Sequence, residues 1–109
     1  MSDVLIVEAL RSGRFFVCSR TGVTFNKHGR PVGHEDPHGY IRISLAGGRH
    51  LLEHRVVWIW NYGFIPAGMT GDHRNEIKTD NRLENLRLVT RGDNVTIRWM
   101  HKRGHKEPR

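Results

Sequence analysis

DHRNEIKTDNRLENLRLVTRGDN, residues Asp72 to Asn94, decides how this chain is read. An acid and a histidine stand side by side at its start. Asn85 follows His73 by twelve residues, and Asn94 closes the stretch nine residues further on. Asparagine is disfavoured inside helices and strands because its side chain competes for backbone hydrogen bonds. A spaced set of asparagines therefore needs either turns or a chemical reason. The preceding MTGDH reads as a short strand that delivers His73, and RNEIKTDNR as a polar loop. LENLRLVT, Leu83 to Thr90, reads as a strand with Leu86, Leu88 and Thr90 on one face. Thr90 or Asp93 then caps a final helix expected from Asp93 to about His101.

These residue types suit phosphodiester hydrolysis. Histidine titrates near neutrality and can take a proton from water. Successive side chains on a strand point to opposite faces, so Asp72 can face the final helix rather than its neighbour His73. Asn94, in the first turn of that helix, could reach the same point. A carboxylate and an amide oxygen are hard ligands suited to Mg²⁺ or Mn²⁺, which also take phosphate oxygens. Asn85 would hydrogen-bond the loop backbone and so orient His73, since a base must be fixed to work. The plainer alternative is that the asparagines only close turns and that Asp72-His73 is an ordinary surface pair.

Upstream, the hydrophobic period changes at Glu53. Val56, Val57, Trp60 and Phe64 fall at helical spacing, which predicts an amphipathic helix from Glu53 to Tyr62, ended by Gly63 and kept from resuming by Pro66. Trp60 is expected in the core and Trp58 partly exposed. Further back, Tyr40 to Leu45 alternates as a half-buried strand and turns through Ala46-Gly47-Gly48-Arg49 into a partner around His50 to Leu52. Asn26 to Gly39, with three glycines and two prolines, is expected to be loop. Arg14 to Ser19 and Val23 to Phe25 read as a hairpin around Arg20-Thr21-Gly22, with Cys18 a buried strand residue. DVLIVEALR, residues 3–11, reads either as a helix capped by Ser2 or as a strand.

The gross numbers bound the class. A chain of 109 residues, 37% hydrophobic and 27% charged, fits one folded domain. No apolar run approaches the roughly 20 residues that span a membrane, and Val4 to Val7 is too short for a signal-peptide core. The protein is expected to stay inside the cell that makes it. With one cysteine there is no internal disulfide and no C-x-x-C zinc ribbon. The net charge of +7 points to a polyanion, nucleic acid first. The tail from Arg98 to Arg109 carries five Lys/Arg, two histidines and one acid, and is either a solvated tail or a phosphate-contacting arm.

At these residues the sequence resembles the HNH family of nucleases, the His-Me finger or ββα-metal group, and is most similar to its phage-type homing endonucleases. HRVVWIWNYGFIPAG, His54 to Gly68, and GDHRNEIKTDNRLENLRLVTRGDN, Gly71 to Asn94, carry the resemblance, with a weaker likeness through HGYIRISL. It implies an α+β fold in one domain: N-terminal antiparallel strands over residues 14–52, a bridging helix over 53–62, the ββα-metal core over 69–101 and a basic tail over 102–109. It implies His73 as general base, Asn85 as the loop brace that orients it, and Asp72 and Asn94 as ligands of one Mg²⁺ or similar ion. The implied activity is hydrolysis of double-stranded DNA, and several members cut one strand only. A phage origin would place the protein in the host cytoplasm. No membrane partner and no structural zinc are implied. Many members place a glycine in the turn after the histidine, where this chain reads Arg74-Asn75-Glu76.

Arg42, Arg49, Arg74, Lys78, Arg82, Arg91, Arg98, Lys102 and Arg103 are the candidate phosphate contacts. With no separate recognition module after the nuclease core, specificity is expected from the N-terminal strands, the tail or both. His54 is either a packed structural residue or support for the site. His34 and His38 are expected in a solvated loop, and Trp99 either packs on a helix or stacks on a base. Two rivals are a DNA-binding protein of this fold without catalysis and a basic structural protein that binds nucleic acid.

Overall fold

The computed structural model describes residues 2–90, with Ser2 described by its backbone alone. The Ser2 cap, the helix expected from Asp93, and the roles expected of Arg91, Asn94, Arg98, Trp99, Lys102 and Arg103 lie outside the described residues. Within them the chain is α+β, with elements in the order α1 (Ser2–Arg11), β1 (Phe15–Cys18), β2 (Val23–Asn26), β3 (Pro31–Val32), β4 (His34–Glu35), β5 (Ile41–Ser44), β6 (His50–Leu52), α2 (Glu53–Tyr62), β7 (Met69–His73) and β8 (Leu86–Thr90). Three antiparallel sheets result, ordered β1-β2-β3, β4-β5-β6 and β7-β8.

The open choice at the N-terminus resolves as a helix. Ile6 and Ala9 are buried three residues apart while Val4 is 46% exposed, a helical rather than a strand period. Asp3 in the first turn sits favourably against the helix dipole and pairs with Arg55 of α2, which ties the two helices together. Ile6, Ala9, Phe15, Ile43, Leu51, Val56, Ile59 and Ile65 form the core, so α1, the hairpin, the middle sheet and α2 share one apolar centre.

Four expectations need correction. The segment 26–39 is not all loop, because β3 pairs with β2 and β4 pairs with β5. Two side chains stand in for longer ladders there. Asn26 Oδ1 accepts the His28 and Arg30 amides, and Asp36 Oδ1 accepts those of His38 and Tyr40. Trp60 is not core: at 41% exposure it lies in the last turn of α2 and meets the exposed Phe16 edge-on. Trp58 is half-buried, packed on the core and on Tyr62. Cys18 is only partly buried. The last strand begins at Leu86, because Leu83–Asn85 form a 3₁₀ turn first. Its faces do not divide simply into apolar and polar either: Arg87 is buried and Thr90 exposed.

Two glycines hold the parts close. Gly22 takes φ +74 in the β1–β2 turn, and a Cβ there would stand 2.1 Å from the Asn81 carbonyl carbon. Gly71 in β7 lies so near α2 that a Cβ would come within 2.9 Å of His54 Cδ2. Only a residue without a side chain fits either place. The backbone bond from Leu83 N–H to Ser19 O, 2.9 Å, fastens the hairpin turn to the loop before β8.

Candidate active site

β7 and β8 pair in antiparallel register, with His73 opposite Leu86 and Asp72 opposite Arg87. Opposed residues project to the same face, so Arg87 meets Asp72 and His73 turns the other way, toward α2. Arg87 donates from Nε at 3.0 Å and from Nη2 at 2.7 Å, and both bonds fall on Asp72 Oδ2. Asp72 and Arg87 are 8% and 7% exposed, so this is a buried, charge-assisted pair. Oδ1 takes neither of these bonds. An arginine in the otherwise apolar LRLVT was the signal for it, since a buried charge requires a partner.

His73 is 4% exposed. Its Nε2 lies 2.7 Å from Asn81 Oδ1. Its ring packs 5.0 Å from that of His54 and 6.2 Å from that of Tyr40. His54 is itself buried. Burial, then the nearby His73 and Arg55, push it down to about 3, so it is neutral near pH 7. Asn81 was not singled out from the sequence. It is 1% exposed, and its Nδ2 donates to Glu53 Oε1 at 3.1 Å. Glu53 Oε2 accepts the Thr24 amide at 3.3 Å. Burial raises the Glu53 carboxyl above its usual range, and the bonds from Asn81 and Thr24 only partly offset this.

Asn85 lies four residues from Asn81 and has different partners. Its Oδ1 accepts the Asn75 amide at 3.1 Å, its Nδ2 donates to Asn75 Oδ1 and to Asp80 O, and its carbonyl accepts the Arg74 amide. These bonds close the loop 74–80. Glu76 in that loop takes φ +62, the left-handed region that favours glycine, at the turn where many HNH sequences have one.

Asp72 and His73 open onto one cleft of about 210 Å³, also lined by Tyr40, Gly71, Glu76 and Lys78. The Lys78 ammonium sits 4.8 Å from the centre of the Tyr40 ring and donates to His38 O. Arg49 and Arg74 are exposed. Arg42 pairs with Asp36 at 2.7 Å, and Arg82 is clamped between Asp80 and Glu84. Arg82 in turn holds the Asp80 carboxyl down at about 2. His34 and His38 are exposed.

Among the described residues no three His, Cys, Asp or Glu side chains gather as a metal cage. An ion bound at Asp72 would be held by few protein atoms and would keep waters or phosphate oxygens, as Mg²⁺ does. A buried carboxylate that lines a cleft, with the Arg87 Nε and Nη2 bonds both on Oδ2, fits such an ion.

A strand pair that presents an Asp-His step at a cleft, with an asparagine-braced loop between the strands, has the arrangement of an HNH-type nuclease core. The HNH endonuclease family model matches residues 52–96. Among solved structures it is similar to the HNH homing endonuclease I-HmuI, in a structure showing DNA binding and cleavage by that enzyme. The TM-score is 0.64 at 28% identity, covering 88% of this chain and 56% of that one. This chain thus spans little more than half the length of I-HmuI. Comparison with curated proteins returned no significant match.

Proposed function

We propose that the protein is a divalent-metal-dependent endonuclease that hydrolyses phosphodiester bonds of double-stranded DNA. The observation that carries this reading is the shared cleft. Asp72 and His73, adjacent at the end of one strand, both line it, which supports an ion held near the buried imidazole. His73 takes the proton from the attacking water. Asp72 and Asn94 would hold the ion. When bound, that ion would offset negative charge on the reacting phosphate. Asn85 keeps the loop closed above the site. Lys78, Arg74 and Arg49 are exposed where the DNA backbone can reach them, and the net charge of +7 draws the duplex in. I-HmuI, which shares this fold, binds and cleaves DNA.

The test is conversion of supercoiled plasmid by the purified chain with Mg²⁺, with Mn²⁺ and with EDTA. The reading expects nicked or linear product with either metal and none with EDTA. Product at undiminished rate in EDTA would overturn it. Retardation of the plasmid in a gel without cleavage under any metal would point to the catalytically silent rival.

A further inference from the structure

The Glu53–Asn81–His73 file reaches the imidazole at Nε2, and general base, loop brace and ion ligand leave Glu53 and Asn81 without a part. Each group in it limits the next. The Thr24 amide is a backbone donor in β2 and cannot turn round, so Glu53 Oε2 faces it as acceptor. In the ionised carboxylate Oε1 is an acceptor as well, and Asn81 Nδ2 donates to it at 3.1 Å. The Asn81 amide must then present its NH₂ to Glu53, and so its oxygen to His73. An amide oxygen only accepts, so the nitrogen 2.7 Å from it must carry the proton.

We infer that Glu53 and Asn81 are positioning residues that hold His73 in the Nε2–H tautomer, leaving Nδ1 as the nitrogen that accepts the proton from water. This deepens the proposed hydrolysis and rests on it. It also gives the N-terminal half a part in the chemistry. Thr24 lies in the hairpin, Glu53 opens α2, and Gly22 lets the hairpin turn press on the Asn81 backbone. All three protein groups are nearly excluded from water, with Thr24 at 0%, Glu53 at 5% and Asn81 at 1% exposure. No solvent molecule competes for the bonds that set the sense of the amide. Fixing the tautomer of a catalytic imidazole through its second nitrogen is a general device, and loss of such a supporting partner typically costs about 10–100-fold in activity.

The direct test is a long-range ¹H–¹⁵N correlation spectrum of the histidine-labelled 109-residue chain, with His73 assigned by comparison with His73→Ala. The inference expects His73 Nε2 to give the protonated, pyrrole-like nitrogen signal and Nδ1 the unprotonated one. The reverse pattern in the wild-type chain would overturn it outright, and this arm needs no variant to be catalytically competent. Glu53→Gln keeps the shape but turns an acceptor into a donor at one of its two contacts. Asn81→Ala removes the amide. Both should give a mixed tautomer signal and a fall in kcat of about 10–100-fold, with KM for plasmid DNA changed less than about threefold. An unchanged tautomer with unchanged kcat in both variants would overturn the inference. Failure of the underlying hydrolytic reading shows separately, as undiminished cleavage by His73→Ala whatever the tautomer of the wild type.

Discussion

Asn81 and Asn85 stand four residues apart in one loop and serve opposite sides of it. Asn85 faces the turn at residues 74–80, and its side chain bonds the Asn75 amide, the Asn75 side chain and the Asp80 carbonyl. Asn81 faces inward and joins two side chains, an imidazole and a carboxylate, neither of which belongs to its own loop. The first arrangement is local and spans at most ten residues. The second spans the molecule, from β2 through α2 to β7. One asparagine therefore governs whether the loop holds its shape, and the other whether the imidazole holds its orientation. The two effects should separate by experiment.

The largest change expected concerns the far face of β7. Arg87→Met strands the buried Asp72 carboxylate, and breaking a buried pair from one side costs about 3–5 kcal/mol. Urea denaturation followed by tryptophan fluorescence should show this loss; a change within about 0.5 kcal/mol would mean that Asp72 does not depend on the guanidinium. Asn85→Ala comes next. It leaves the Asp80 carbonyl and the Asn75 amide without that partner, at about 1–3 kcal/mol, and the cost should be local. Hydrogen exchange should accelerate across residues 74–80 while α1 and the hairpin stay protected. Uniform acceleration through the whole chain would erase the distinction between the two asparagines.

The smallest effect is electrostatic. Because burial raises the folded-state Glu53 carboxyl above 4.5, the folded protein binds that proton more tightly than the unfolded chain does. The associated stability is fully present below about 4.5, the usual value, and is lost as pH rises through the raised one. Glu53→Gln cannot titrate, so its melting temperature should fall less than the wild type's between pH 4.5 and neutrality. Parallel melting curves across that range would contradict the burial argument.

Much of this architecture was legible in the sequence because it follows period and punctuation. The α2 boundaries came from Glu53 and Gly63, and the β7–loop–β8 order from the polar run between MTGDH and LRLVT. What was not legible depends on contacts between distant segments. Trp60 fits the apolar period of α2, but its neighbour Ile59 fills the core in that turn and Trp60 meets Phe16 at the surface. Arg42 and Arg82 look like free cations until Asp36, Asp80 and Glu84 are placed beside them. The part of Asn81 is not legible because its partners, His73 and Glu53, lie eight and twenty-eight residues away, and nothing in the spacing announces a bond between them. Asn85, by contrast, could be assigned to the loop from its place at the loop's end.

The account turns on His73 as the group that activates water, and single-turnover cleavage by His73→Ala tests this most directly. With Mg²⁺ and saturating enzyme, the variant should cleave plasmid at least about 100-fold more slowly than the wild type while shifting the same DNA in a gel at the same protein concentration. Cleavage at the wild-type rate would contradict the account.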